Sequence, residues 1–307
     1  MSFSVTILGS GAALPTLRRA PSSQFIECNN RYILIDCGEG TQMQLRKTGV
    51  KFQKISHILI SHLHGDHYFG LPGLLSTMHL LGRNQGITIY ADPALEQILR
   101  SMLEYGGYKL SFDLNFVPLQ FKEKNLIFED NLLEIYSFPL RHRIPTCGFQ
   151  IQEKQKEYRL DSKTIQQHPE IKIEHLHRLK KGENIVLENG TEIDFEDFTF
   201  PPRPSYSYAY CSDTAPFEKL PEYINGTTLL YHEATFLSLQ KDRAKATFHS
   251  TAAQAAEIAQ KANVKKLLLG HLSSRYGETE THTTEAQSIF QNSEVVEDEN
   301  VYFLEKI

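Results

Sequence analysis

The chain has 307 residues, 40% of them hydrophobic and 22% charged, which is ordinary globular composition and enough for one large domain with a substantial core. A net charge of −5 argues against indiscriminate coating of nucleic acid, which depends on Lys and Arg neutralising phosphates, but not against a local basic surface. No apolar run approaches the roughly 18 residues of a membrane span, and the opening MSFSVTILGSGAALP has neither a basic n-region nor a small-residue cleavage site, so a soluble, cytoplasmic protein is expected.

In chain order, SVTIL reads as a first strand, and the LGSGAAL that follows as a tight glycine turn; its third fingerprint position is Leu14, which excludes a dinucleotide site. RYILID and HILIS read as strands around the helix GTQMQLRKTG. GLPGLLSTMHLLG and PALEQILRSMLEYG read as helices on either side of the strand ITIYA, and LLEIYSF as a further strand. From about Glu153 to Pro204 the chain turns polar and charge-rich, contains the turn signal ENGTE and ends in FPPRPS, the marks of an inserted arm. Within it, Lys172 to Gly182 carries four Lys/Arg and two His against one Glu, either a basic patch or a solvated charged face. YAYCSD, TLLYHEA, KKLLLGH and VYFLE are strands; STAAQAAEIAQKAN and TTEAQSIFQ are helices. Strands alternating with helices predict a layered α/β fold, one domain over 1–307 with an arm at about 153–204. The cysteines Cys28, Cys37, Cys147 and Cys211 include no C-x-x-C and are expected reduced and mostly buried, so any metal here must rely on histidine and carboxylate.

The densest chemistry lies in SHLHGDH, Ser61 to His67, where the chain leaves a buried strand. His62 and His64, two apart, face the same side of extended backbone, and a turn at Gly65 brings Asp66 and His67 back to the same point. Imidazole with carboxylate suits borderline metals such as Zn²⁺ or Mn²⁺. His142, Asp213 and His271 each follow a predicted strand, as a site at one edge of a sheet requires.

SHLHGDH matches the H-x-H-x-D-H signature of the metallo-β-lactamase superfamily, and the chain resembles its ribonuclease Z branch, the tRNA 3′-processing endonucleases. The resemblance runs nearly end to end, through LGSGAALPTLRRAPSSQ, LIDCGEGTQMQL, GLPGLL, FPLRH, YCSDT, YHEATF, FHST and GHLSSRY. It implies a four-layer αβ/βα sandwich with two zinc ions, Mn²⁺ or other divalent ions being possible substitutes. His62, His64 and His142 would hold one, Asp66, His67 and His271 the other, with Asp213 bridging.

Two cations about 3.5–4 Å apart lower the pKa of water toward about 7 and stabilise an in-line phosphoryl transition state. Asp66 is the expected proton acceptor, His249 the proton donor to the leaving ribose oxygen beside a helix N-terminus that favours phosphate, and Glu233 the support that raises the His249 pKa. Asp36 is expected to orient a ligand histidine or to be a simple turn residue, and Arg275 to contact phosphate or to form a surface salt bridge. The implied reaction is cleavage of precursor tRNA after the discriminator nucleotide, leaving a tRNA 3′-hydroxyl and a trailer 5′-phosphate. A homodimer would use its basic arm on the partner's substrate. The arm lacks the Gly-Pro motif of many relatives, and Ala20 follows Arg19 where relatives commonly have Asn.

Another phosphodiesterase of this fold would share the metals but lack an RNA-gripping arm. A glyoxalase-type thioesterase would lack the HEATF and HST pair. A non-catalytic RNA-binding scaffold would have lost Asp66 or a ligand, and none is missing.

Overall fold

A computed structural model describes residues 3–107 and 109–307; Met1 and Ser2, the first residues of the opening MSFSVTILGSGAALP, lie outside them. The chain divides into two compact units, one running up to Gln152 and resuming at Tyr206–Ile307, the other Glu153–Ser205.

The larger unit holds two seven-stranded sheets. In the first, the order is Val301–Phe303, Phe3–Gly9, Ser23–Cys28, Arg31–Ile35, His57–Leu59, Ile87–Ala91 and Leu114–Pro118. In the second it is Ser293–Val295, Lys266–Gly270, Leu229–Glu233, Ser207–Cys211, Cys147–Glu153, Leu133–Pro139 and Asn125–Glu129. Val5, Ile7, Ile33 and Ile35 meet Phe149, Tyr208, Tyr210 and Tyr231 between the sheets. The helices Thr41–Lys47, Leu71–Leu80 and Ala94–Tyr105 bury Leu45, Leu74, Leu75, Leu95 and Leu99 on the outer face of the first sheet. On the outer face of the second, the helix Ala252–Lys261 presents Ala252, Ala255, Ala256 and Ala259. The layers therefore run helix, sheet, sheet, helix. The inner parallel strands are covered on both faces, which is why HILI and KLLLG read as unbroken apolar runs.

Five strands carry no clear signal in the sequence: Ser23–Cys28, Leu114–Pro118, Asn125–Glu129, Cys147–Glu153 and Ser293–Val295. Glutamines mask two of them, and both glutamines are buried and used: Gln24 Oε1 accepts from Tyr208, and Gln150 Oε1 accepts from Lys124 Nζ at 2.6 Å. The last helix begins at Glu280, ahead of TTEAQSIFQ, because it buries His282 and Ala286 one turn apart. After the first strand, a Cβ on Gly9 would lie 1.8 Å from the Pro21 carbonyl oxygen, so the glycine there allows close backbone approach.

The smaller unit has a core of its own. Ile171, Leu179, Ile185, Leu187, Ile193 and Phe198 cluster under the helices Ser162–Gln166 and Ile173–Lys180 and two two-stranded sheets. The expectation of a basic arm is overturned by its composition. Residues 153–205 hold nine Lys and Arg against eleven Asp and Glu, net −2. Only the 172–182 segment is basic, and two of its cations are paired, Lys172 with Glu188 and Arg178 with Glu183 at 3.1 Å.

Candidate metal centre

The loop 60–64 and the short helix Gly65–Tyr68 continue the buried strand His57–Leu59. The chain passes from an extended His64 into this helix at Gly65, where a Cβ would stand 2.2 Å from the ring of the exposed Phe69 and would displace it. His62 Nε2 and His142 Nε2 lie 3.1 and 3.3 Å from His64 Nδ1. Asp213 Oδ2 stands 3.7 Å from His62 Nε2 and 3.8 Å from His142 Nε2. On the other side, Asp66 Oδ2 lies 3.3 Å from His67 Nε2 and 3.4 Å from His271 Nε2. Asp213 Oδ1 is 3.5 and 3.1 Å from the same two nitrogens. The two oxygens of Asp213 thus face two donor groups, one each.

Whether these residues suit a pair of cations can be tested on their polar atoms. His67 Nε2 and Asp213 Oδ1 are buried yet make no hydrogen bond, although close to one another. Donors about 2.0–2.1 Å from a tetrahedral ion stand about 3.3 Å apart, the scale of the observed separations. The outward ring nitrogens are held as metal-binding histidines require. His67 Nδ1 meets Asp36 Oδ2 at 2.7 Å, His271 Nδ1 meets Thr235 Oγ1 at 3.0 Å, His62 Nδ1 meets Ser61 Oγ at 3.0 Å and His142 Nδ1 donates to the Phe248 carbonyl at 3.0 Å. Burial pushes His62, His64 and His142 down, leaving neutral imidazoles with free lone pairs. Burial also opposes charge on His67, but Asp66, Asp213 and Asp36 outweigh it and raise its pKa, a negative field that a divalent cation would equally satisfy. The donor set fits.

His249 lies beside this cluster. Its Nδ1 meets Glu233 Oε1 at 2.8 Å. Burial lowers the imidazole, but the charge and hydrogen bond of Glu233 raise it to about 9. Glu233 is fully buried and also accepts from Thr214 N, Thr235 N and Thr235 Oγ1. The expected phosphate site at the following helix N-terminus is overturned. Ala252 N donates to Phe236 O, Ala253 N to Glu285 and Gln254 N to the capping Thr251, so those donors are taken.

A cleft of about 430 Å³ opens over the cluster, lined by His64, Asp66, His142, Asp213, His249 and His271 together with Arg143, Arg243 and Arg275. Arg275 donates to Gln240 Oε1 at 3.1 Å and lies over Phe236; among the described residues it has no carboxylate partner, so it is not a salt bridge. All four cysteines are buried and free.

Of the layer beneath, the sequence pointed to Asp36 alone and not to the Ser61 and Tyr210 that meet it. Asp36, at a left-handed φ of 54°, accepts from Ser61 N, Ser61 Oγ and Tyr210 OH, the last at 2.7 Å, besides meeting His67. Tyr210 reaches it from the opposite sheet. Asp36→Ala is expected to weaken metal binding by about 10–100-fold and Tyr210→Phe by a smaller factor, read by chelator competition. Unchanged affinity in both would show that this network only fills space.

Residues 3–168 match the family model described as anti-Pycsar protein Apyc1. Nearly the whole chain aligns with ribonuclease Z proteins: 43% identity with that of Parabacteroides distasonis over 94% of each chain, and 44% with that of Phocaeicola vulgatus over 95% of this chain and 94% of the other. Among solved structures, the short form of human tRNase Z is similar at 28% identity, 97% and 98% coverage and a TM-score of 0.71. The metallo-β-lactamase-fold protein YhfI of Bacillus subtilis is similar at 18% identity, 99% and 100% coverage and a TM-score of 0.68, a likeness of fold alone.

Proposed function

We propose how this site works from the premise that the chain belongs to the ribonuclease Z family, and is therefore an endoribonuclease of tRNA 3′ processing. The Apyc1 model ends before Asp213, His249 and His271, whereas the ribonuclease Z relatives span almost all of the chain. The observation that carries the detail is the pair of donor groups sharing Asp213: His62, His64, His142 with Asp213, and Asp66, His67, His271 beside it.

We assign the first group to one zinc ion and the second to another, with Mn²⁺ able to substitute. Bound there, the cations supply Lewis-acid charge and a water acidic enough to attack phosphorus at neutral pH. Asp66, at the floor of the cleft, accepts the proton of the attacking water. The bond from phosphorus to the 3′-oxygen of the discriminator ribose breaks. His249, held protonated by Glu233, delivers its proton to that oxygen, giving a tRNA 3′-hydroxyl and a trailer 5′-phosphate. Arg143, Arg243 and Arg275 line the cleft for the phosphate backbone. The Glu153–Ser205 unit grips the tRNA away from the cut, and in a homodimer it would act on the partner's substrate. Precursor tRNA arises in the cytoplasm, where we place the enzyme; no helix among the described residues is long and apolar enough to cross a membrane.

The test is incubation of metal-loaded protein with a precursor tRNA bearing a 3′ trailer, followed by mapping of both product ends. Hydrolysis of a small phosphodiester without cutting of the precursor would overturn the reading. His249 also stands within ligand range of Asp213 and His271, so its role has its own check. His249→Ala is expected to keep two metal ions per chain while single-turnover cleavage falls about 10²–10⁴-fold, and Glu233→Gln to give a smaller loss. A variant retaining one ion would make His249 a ligand instead.

A further inference from the structure

A second cavity, of about 330 Å³, meets the metal cleft at His249, which lines both. Its other charged walls are Arg141, Lys241 and Lys245 against Asp242 alone, and among the described residues none of the three cations has a carboxylate partner. The helix Lys241–Thr247 separates the two spaces. On a helix Lys241 and Lys245 share a face, while Arg243, which lines the metal cleft, lies on the opposite one. One short helix therefore presents cations to both cavities.

The helix ends at Phe248 in a left-handed conformation, φ 59°, a costly backbone for an aromatic residue. That turn does two things at once: it points the Phe248 carbonyl at His142 Nδ1 and leaves the ring in the wall of the second cavity. Among the described residues the ring has no aromatic or cationic partner. An unstacked ring beside unpaired cations is the combination by which proteins hold single-stranded nucleic acid, base on aromatic face and phosphate on Lys or Arg.

We propose that this cavity seats the unpaired nucleotide next to the scissile phosphate, with its base on Phe248 and its phosphate among Arg141, Lys241 and Lys245. The proposal rests on the ribonuclease reading. It makes the RNA pass over His249 from one cavity to the other, so that the scissile bond is fixed by a neighbour on its flank as well as by the metal centre.

The test uses the full-length, metal-loaded protein with a 3′-extended precursor tRNA and with bis(4-nitrophenyl) phosphate, which is too small to fill both cavities. Lys241→Ala/Lys245→Ala is expected to raise KM for the precursor at least about tenfold. It should also make the slope of log kcat/KM against log salt shallower by about 1.4, some 0.7 for each cation lost from a single strand, while the small diester changes less than about twofold. Phe248→Leu, which keeps the carbonyl, is expected to cost about fivefold to a hundredfold on the precursor at unchanged metal content. That loss should vanish on a precursor with an abasic site at the seated position, and placing the abasic residue before or after the cut tells which nucleotide it is. If Phe248→Leu loses metal, the lysine pair alone decides. An unchanged KM and salt slope, or equal losses on both substrates, overturns the subsite. If wild-type protein leaves the precursor uncut, the ribonuclease reading falls separately. The cavity is then read by the anisotropy of a labelled five-nucleotide single-stranded RNA, where equal affinity of wild type and double variant overturns it too.

Discussion

Asp66→Ala is expected to reduce single-turnover cleavage of a 3′-extended precursor tRNA by at least about a thousandfold, with precursor binding within a few-fold of wild type. Two losses combine in this residue. Its Oδ2 stands with His67 Nε2 and His271 Nε2 in one of the two donor groups, and the residue lines the cleft in which, on the proposed mechanism, the attacking water would lose a proton. General acid–base groups alone contribute about 10²–10⁴-fold. The protein holds this carboxylate firmly ionised: burial opposes the charge, but His67 and His271 overcome it and push the pKa far below the ordinary carboxylate range. Asp66→Asn separates the roles, since the amide keeps an oxygen donor and the shape but cannot take a proton. We expect Asn to retain most of the metal and still lose most of the rate. Cleavage by either variant within tenfold of wild type would remove Asp66 from the chemistry, and full activity in the Asn variant alone would leave it a ligand only.

The parts of the site legible in the sequence were those whose partners are neighbours in the chain or ends of strands. His62, His64, Asp66 and His67 crowd into six residues, too dense for a satisfied core. His142, Asp213 and His271 stand just beyond the strands Leu133–Pro139, Ser207–Cys211 and Lys266–Gly270, so strand periodicity alone brings them to one edge. Of the groups that hold those residues in place, Asp36 was the one the sequence suggested, and the others were not legible. Tyr210 OH meets a carboxylate 174 positions away, and His142 is steadied by the Phe248 backbone carbonyl, which has no residue-type signature at all. Thr235 was hidden inside a motif noticed for Glu233, although its hydroxyl touches both Glu233 and His271. Where sequence reasoning erred, a local rule met a nonlocal partner: the helix N-terminus after His249 has the right form for phosphate, but Phe236, Glu285 and Thr251 already occupy it. The arm shows the same limit from the other side. Its small core is spread through polar sequence, Ile171 to Phe198, and is invisible to a reading based on composition.

Deleting Gln155 to Pro201 is expected to cost precursor tRNA cleavage about a hundredfold or more while a small phosphodiester is hydrolysed within about threefold of wild type. The cut is structurally clean. Ile171, Leu179, Ile185, Leu187, Ile193 and Phe198 all lie inside the deleted stretch, so no half of a core is left exposed. The flanks are already joined: Ser205 Oγ donates to the Lys154 carbonyl at 2.9 Å, and Ser207 pairs with Gln152 in the sheet beneath. A short link therefore closes the stem at little entropic cost. The metal donors and His249 lie in the other unit, which is why the small substrate should be spared. The size of the loss follows from charge. The deleted unit is net negative, so a grip on RNA by it would have to be local, as on the face of Ile173–Lys180 and the following Lys181, where Lys180 and Lys181 have no carboxylate partner among the described residues. Two charge-assisted contacts to RNA phosphate at about 1.5 kcal/mol each account for a hundredfold. Lys180→Ala/Lys181→Ala in the intact chain should then reproduce much of the deletion, with the loss growing at low salt. If the deletion instead slows both substrates alike, the arm supports the fold of the catalytic unit and does not hold the tRNA.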